Sequence, residues 1–130
     1  MRQPQLGQEE WDILRCVDEN SPATVREVAD RMAETKGLAR TTVLTVMERL
    51  RAKRCLRRRK SGGVYRYSPR IPLHDLAQGM VASFVETRLQ GVISPFLAYL
   101  SDSSRVSDEE LTELKRLVRD LEQQKQGKAS

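Results

Sequence analysis

A mainly α-helical chain, three helices and a β-hairpin followed by three more helices, is what three observations in this sequence predict. Apolar residues recur at i, i+3, i+4 and i+7 in several separate stretches, the period of helices that each bury one face. Ser61-Gly62-Gly63 divides a cationic run, Arg57-Arg58-Arg59-Lys60, from Val64-Tyr65-Arg66-Tyr67, the mark of a hairpin whose tight turn uses glycine. Ser68-Pro69-Arg70-Ile71-Pro72 then interrupts regular structure and looks like a boundary between two domains. Three helices and then a basic hairpin is the order of a winged helix-turn-helix.

Each element has its own signal. Residues 1–6 form a polar lead-in. Trp11, Leu14 and Val17, with Ile13 close by, outline a first helix that ends before Asn20-Ser21-Pro22, and Trp11 reads as a core anchor. Cys16, beside this stripe, reads as a small hydrophobe. Thr24-Val25-Arg26-Glu27 is a capping box, so the second helix starts there and buries Val25, Val28, Ala29 and Met32. Gly37 closes it, and a short link through Leu38 and Ala39 delivers the chain to a third helix beginning near Arg40, with the stripe Val43, Val46, Met47, Leu50. In the hairpin, Tyr65 and Tyr67 share one face, Val64 and Arg66 the other. One face can pack on the helices while the basic side and the tip at 60–63 approach a phosphate backbone. Stacking of the tyrosines on single-stranded bases is the alternative.

Beyond the break, Leu73, Leu76, Met80 and Phe84 belong to a long apolar stripe that ends before Gly91. Ser94-Pro95 opens a short helix holding Phe96, Leu97 and Leu100, and Ser107-Asp108-Glu109-Glu110 is a second capping box before a helix carrying Leu111, Leu114 and Val118. Three amphipathic helices in so few residues would leave apolar faces wet in a monomer. Pairing with a second copy through these residues is the expected remedy, and packing on the first domain the alternative. The expected domains are therefore 1–70, a winged helix; 71–124, a dimerisation domain; and 125–130, a polar tail.

Length and charge narrow the function. The 130 residues suffice for one ordinary domain or two small ones, not for a large enclosed active site. Residues 40–70 hold eleven basic side chains against the single acid Glu48, a charge of +10, which leaves −5 for the rest of a chain whose total is +5. A cationic block inside a foldable segment points to a polyanion partner. No nucleophile and base pair, no phosphate-cradling glycine loop and no cluster of metal ligands stands out, so no enzyme, cofactor or metal is expected. His74 reads as a surface residue. Two cysteines, no apolar signal core and no membrane-length apolar run lead to the expectation of a cytoplasmic protein.

The third helix opposes its buried stripe with Thr41, Thr45 and Glu48, flanked by Thr42 and Arg49. A groove-borne helix reads bases mostly with its N-terminal half, which puts Arg40, Thr41, Thr42 and Thr45 nearest the bases and Arg49 on a phosphate or a further base. Threonine offers a methyl for thymine and a hydroxyl for a base or phosphate; arginine can bond guanine at two points or clamp a phosphate. Glu48 can accept from cytosine N4 or pair with Arg51 or Arg54. Arg58, Lys60 and Ser61 of the hairpin complete the set of expected DNA contacts. A ligand-responsive regulator of the MarR type and a winged-helix RNA or protein-interaction module are the competing readings.

Five motifs together carry a resemblance: E-E-W-D-I-L at 9–14, A-T-V-R-E-V at 23–28, R-T-T-V-L-T-V-M-E-R-L at 40–50, G-V-Y-R-Y-S-P at 63–69 and V-S-D-E-E-L-T-E-L at 106–114. With them the chain resembles the penicillinase-repressor (BlaI/MecI) family of winged-helix regulators, relatives of the copper-responsive CopY repressors. The resemblance implies a homodimeric repressor of palindromic double-stranded operators, with Thr41, Thr42, Thr45 and Arg49 on the DNA-reading helix and the C-terminal helices joining the pair. It also implies a sensor peptidase as a partner, although Tyr99-Leu100 stands where the family's Asn-Phe cleavage pair falls. The cysteine cluster of the copper relatives has no counterpart in this tail.

Overall fold

The computed structural model describes residues 4–129; the first three residues of the lead-in, and Ser130, lie outside the described residues. The chain runs α1 (Gln8–Glu19), α2 (Val25–Lys36), α3 (Arg40–Ala52), β1 (Leu56–Ser61), β2 (Val64–Pro69), α4 (Leu73–Thr87), α5 (Ser94–Leu100), a 3-10 turn (Ser103–Arg105) and α6 (Asp108–Ala129). This is the mainly helical winged helix-turn-helix order that the sequence predicts.

Two of the helices, α2 and α6, begin where a side-chain oxygen satisfies a free N–H group. Thr24 Oγ1 accepts the Glu27 N–H at 3.1 Å and Glu27 Oε1 accepts the Thr24 N–H at 3.3 Å. Ser107 and Glu110 repeat this exchange at the head of α6, at 3.1 and 3.0 Å. Gly37 ends α2 with φ +65°, a left-handed conformation that costs a glycine little. Gly62 and Gly63, with φ +61° and +82°, make the two-residue turn of the hairpin.

Two compact units result, one ending at Phe84 and one beginning at Val85. In the first, α1 contributes Ile13, Leu14 and Val17 to a closed core, α2 contributes Val28, Ala29 and Met32, and α3 contributes Val43, Val46, Met47 and Leu50. Cys55, Leu56 and Tyr67 seal it from the hairpin side, while Trp11 packs half-buried at its edge. Strands β1 and β2 pair antiparallel with Arg58 opposite Tyr67 and Lys60 opposite Tyr65. The other edge of β2 bridges to the α1–α2 link: the Ala23 N–H donates to Tyr67 O at 2.9 Å and the Tyr67 N–H to Ala23 O at 2.7 Å. That bridge ties the wing to the helices by backbone as well as by side chains.

Two expectations are corrected. Leu76, expected between two copies, is only 2 % exposed in the first unit's core, and Leu73 and Met80 pack against the same core. The first unit therefore runs past residue 70, because the Arg70 N–H donates to Cys55 O at 2.9 Å and turns the chain back onto the base of the hairpin. Residues 125–129, expected as a tail, continue α6, since Lys, Gln and Ala favour helix and no proline intervenes.

Among its described residues the second unit, taken by itself, buries no side chain fully. Phe96, Leu97, Leu111, Leu117, Val118 and Leu121 are exposed, Leu100, Val106 and Leu114 half-buried. Phe96, Leu100, Val106, Leu114 and Leu117 line an open, largely apolar groove of about 300 Å³. Among the described residues no helix is long and apolar enough to cross a membrane.

Candidate nucleic-acid interface

Burial of Val43, Val46, Met47 and Leu50 fixes the rotation of α3, and with it the face turned to solvent. Arg40, Thr41, Thr45 and Arg49 are exposed there and Thr42 is half-buried at the flank. Thr45 donates its hydroxyl to the Thr41 carbonyl at 2.9 Å, which leaves its methyl and the oxygen's acceptor lone pairs outside that bond. These are the groups with which a threonine can meet a base edge.

Glu48 lies on the same face and acts as a hub. Its Oε2 accepts from Arg51 Nε at 2.8 Å, and its Oε1 accepts from Arg58 Nη1 on β1 at 2.7 Å. Arg51 was one of the partners the sequence offered; Arg58 takes the place of Arg54. The Arg51 hydrogen bond, and the charges of Arg51 and Arg58, hold the Glu48 carboxyl below its ordinary value against a weaker effect of burial. The Arg58 guanidinium also stacks on Tyr65, 3.9 Å from the ring centroid, and its Nη1 stands 3.5 Å from Tyr67 Oη. Glu48 thus fastens the outward face of α3 to the wing.

The wing is cationic on both faces. Lys60 projects beside Arg58, its ammonium 5.7 Å from the Tyr65 ring centroid, and Ser61 is exposed at the turn. On the opposite face the register brings Arg57, Arg59, Arg66 and Ser68 together, and with Pro22 and Ser61 they border an open cleft of about 450 Å³. Arg66 reaches Glu27 at 3.4 Å, an exposed pair of small energetic weight.

Not every cation of residues 40–70 faces outward. Lys53 Nζ donates to Glu10 Oε2 at 2.7 Å and to Gln5 O at 2.8 Å, so it anchors the start of α1 to the end of α3. Burial pushes the Glu10 carboxyl up, but hydrogen bonds from Lys53 and from the Gly7 N–H, with the charges of Lys53 and Arg49, outweigh it and hold the group below its ordinary value. Sequence pattern did not reveal this pair, whose members lie 43 residues apart. Burial raises the thiol pKa of both Cys16 and Cys55. Among the described residues no group of three or more potential metal ligands occurs.

Comparison with known proteins bears on this surface. The family described as "Penicillinase repressor" matches residues 6–120. The penicillinase repressor of Staphylococcus aureus is 21 % identical over 120 residues, 92 % of this chain and 95 % of that protein. The transcriptional regulator BlaI of Mycobacterium tuberculosis is 30 % identical over 102 residues, 78 % of this chain and 72 % of its own. Bacillus licheniformis BlaI, solved in monomeric form in complex with the blaP half-operator, superposes with a TM-score of 0.51 at 27 % identity, covering 57 % of this chain and 90 % of that one. The DNA-binding domain of the repressor BlaI gives 0.50 at the same identity and coverage.

Proposed function

We propose, for a chain that belongs to the penicillinase repressor family, that it is a DNA-binding transcriptional repressor which sets α3 into a major groove and grips the adjoining backbone with its wing. The observation that carries this reading is the single surface formed by the outward face of α3 and the cationic hairpin, tied together through Glu48 and Arg58. The half-operator complex of the B. licheniformis relative supports it. Thr41, Thr42 and Thr45 meet base edges, Arg40 and Arg49 a base or a phosphate, and Lys60 and Ser61 the phosphates.

In this reading the protein acts as a cytoplasmic homodimer. The exposed apolar side chains of α5 and α6 are the support for pairing, since a second copy would cover Phe96, Leu97, Leu111 and Val118. A two-fold pair calls for a palindromic operator whose half-sites lie about one helical turn, or a multiple of it, apart. In vitro selection of random duplexes with the purified full chain tests both levels. Enrichment of a two-fold symmetric sequence is the expected result. Equal affinity for every duplex, or a preference for structured RNA, overturns the reading.

A further inference from the structure

Leu44 is 44 % exposed on α3, outside the buried stripe of that helix. A lone exposed leucine is ordinary on a protein surface. Its place is not. Arg40 and Thr41 lie one turn before it and Glu48 one turn after, so it is an apolar element inside a polar reading face. Among the described residues before Arg70, the other large apolar side chains that stay exposed are Val64 and Tyr65, and both belong to the wing. Up to the end of β2, the large exposed apolar side chains thus lie on the two elements assigned to DNA; the next ones in the first unit, Val81 and Phe84, belong to α4. Two of the polar neighbours of Leu44 already hold partners, Glu48 accepting from Arg51 and Arg58, and Thr45 donating its hydroxyl to the Thr41 carbonyl.

In the major groove, hydrogen-bonding edges alternate with one apolar group, the C5 methyl of thymine. A polar base edge pressed against Leu44 would lose water and gain no partner, whereas a methyl would bury apolar area on both sides. We propose that Leu44 is a specificity-determining residue that packs against a thymine methyl in each half-site. The inference rests on the reading of α3 as a groove-borne helix and adds to it the identity of one base.

The test uses the purified full chain and the duplex recovered by selection, with each thymine replaced in turn by deoxyuridine, which removes only the methyl. Deoxyuridine at one position per half-site should weaken binding about threefold to fivefold, the worth of one buried methyl group. In Leu44→Ala that penalty should vanish, whereas Thr45→Ser should leave it in place, a coupling that a double-mutant cycle isolates. Because Leu44 lies outside the core, the variant should keep the wild-type unfolding midpoint. No deoxyuridine-sensitive position, or a penalty of unchanged size in Leu44→Ala, overturns the proposal while leaving DNA recognition intact. Failure of the selection to enrich any duplex would instead remove the underlying reading and this proposal with it.

Discussion

Helices α3 and α6 are both amphipathic, yet α3 hides Val43, Val46, Met47 and Leu50 in the first unit's core while α6 leaves Leu111, Leu117, Val118 and Leu121 about half in water. Propensity and capping do not separate them, since α6 has the better N-cap, the Ser107–Glu110 box, and α3 begins after Ala39 with no side-chain cap. What differs is the company each keeps. α3 meets two helices and a hairpin of its own unit, whereas α6 shares its unit with one seven-residue helix and a 3-10 turn. An amphipathic period predicts that a face wants burial, and topology decides whether the chain can bury it alone.

The largest effect that would sharpen this contrast lies in the core. Leu50→Ala, at a fully buried position, should destabilise the first unit by about 2–5 kcal/mol in urea titration, because the cavity cannot collapse among three helices. Leu117→Ala, exposed in the second unit, should fall within about 0.5 kcal/mol for a dilute monomer. Comparable losses at both sites under monomeric conditions would erase the distinction. Next in size, Val118→Asp should weaken self-association by about 3 kcal/mol, more than a hundredfold, if a second copy covers α6. Sedimentation velocity reads this directly, and an unaltered dimer would remove Val118 from the contact.

A third prediction concerns Glu10 and Lys53, which close the first unit where α1 starts. Glu10→Gln should cost about 1–3 kcal/mol at neutral pH, the worth of a charge-assisted hydrogen bond with restricted solvent access. The sign with pH follows from the lowered carboxyl. A group whose folded pKa lies below its unfolded value stabilises fully above the unfolded pKa and loses that contribution as pH falls through the folded one. Wild type and Glu10→Gln should therefore converge on acidification below the ordinary carboxylate range. A gap that stays constant with pH would mean that packing, not charge, explains the loss.

Local signals made most of the first unit legible. The Thr24–Glu27 box, Gly37 and the Gly62–Gly63 turn each state a backbone requirement in adjacent residues, and the stripes of α1, α2 and α3 give the core almost side chain by side chain. Long-range partners were not legible. Arg58 meeting Glu48, Lys53 meeting Glu10, and Ala23 bridging Tyr67 depend on how the elements stack, which no periodicity encodes. Leu76 misled for a related reason: a stripe shows that a residue will be buried, not which surface buries it. In the interface, the outward face of α3 was readable from the stripe opposite it, while the use of Arg58 to bind Glu48 was not.

That last point separates two wing cations that sequence treats alike. Lys60 is exposed and, among the described residues, makes only a loose contact with the Tyr65 ring and no ion pair, so its ammonium can meet a phosphate without breaking a salt bridge. Arg58 is held by Glu48 at 2.7 Å and by the Tyr65 face. A phosphate contact releases condensed counterions, so Lys60→Ala should lower the slope of log affinity against log salt by about one unit, with a uniform loss across sequences. Arg58→Ala should change the slope by less than about half as much. Its effect should fall instead on specific affinity, because Glu48 would no longer fix the wing against α3. Equal changes in slope for the two variants would mean that Arg58 leaves Glu48 when DNA arrives. The Glu48 link would then describe the free protein, and the wing's position on the duplex would have to be set by phosphates and by the backbone bridge to Ala23.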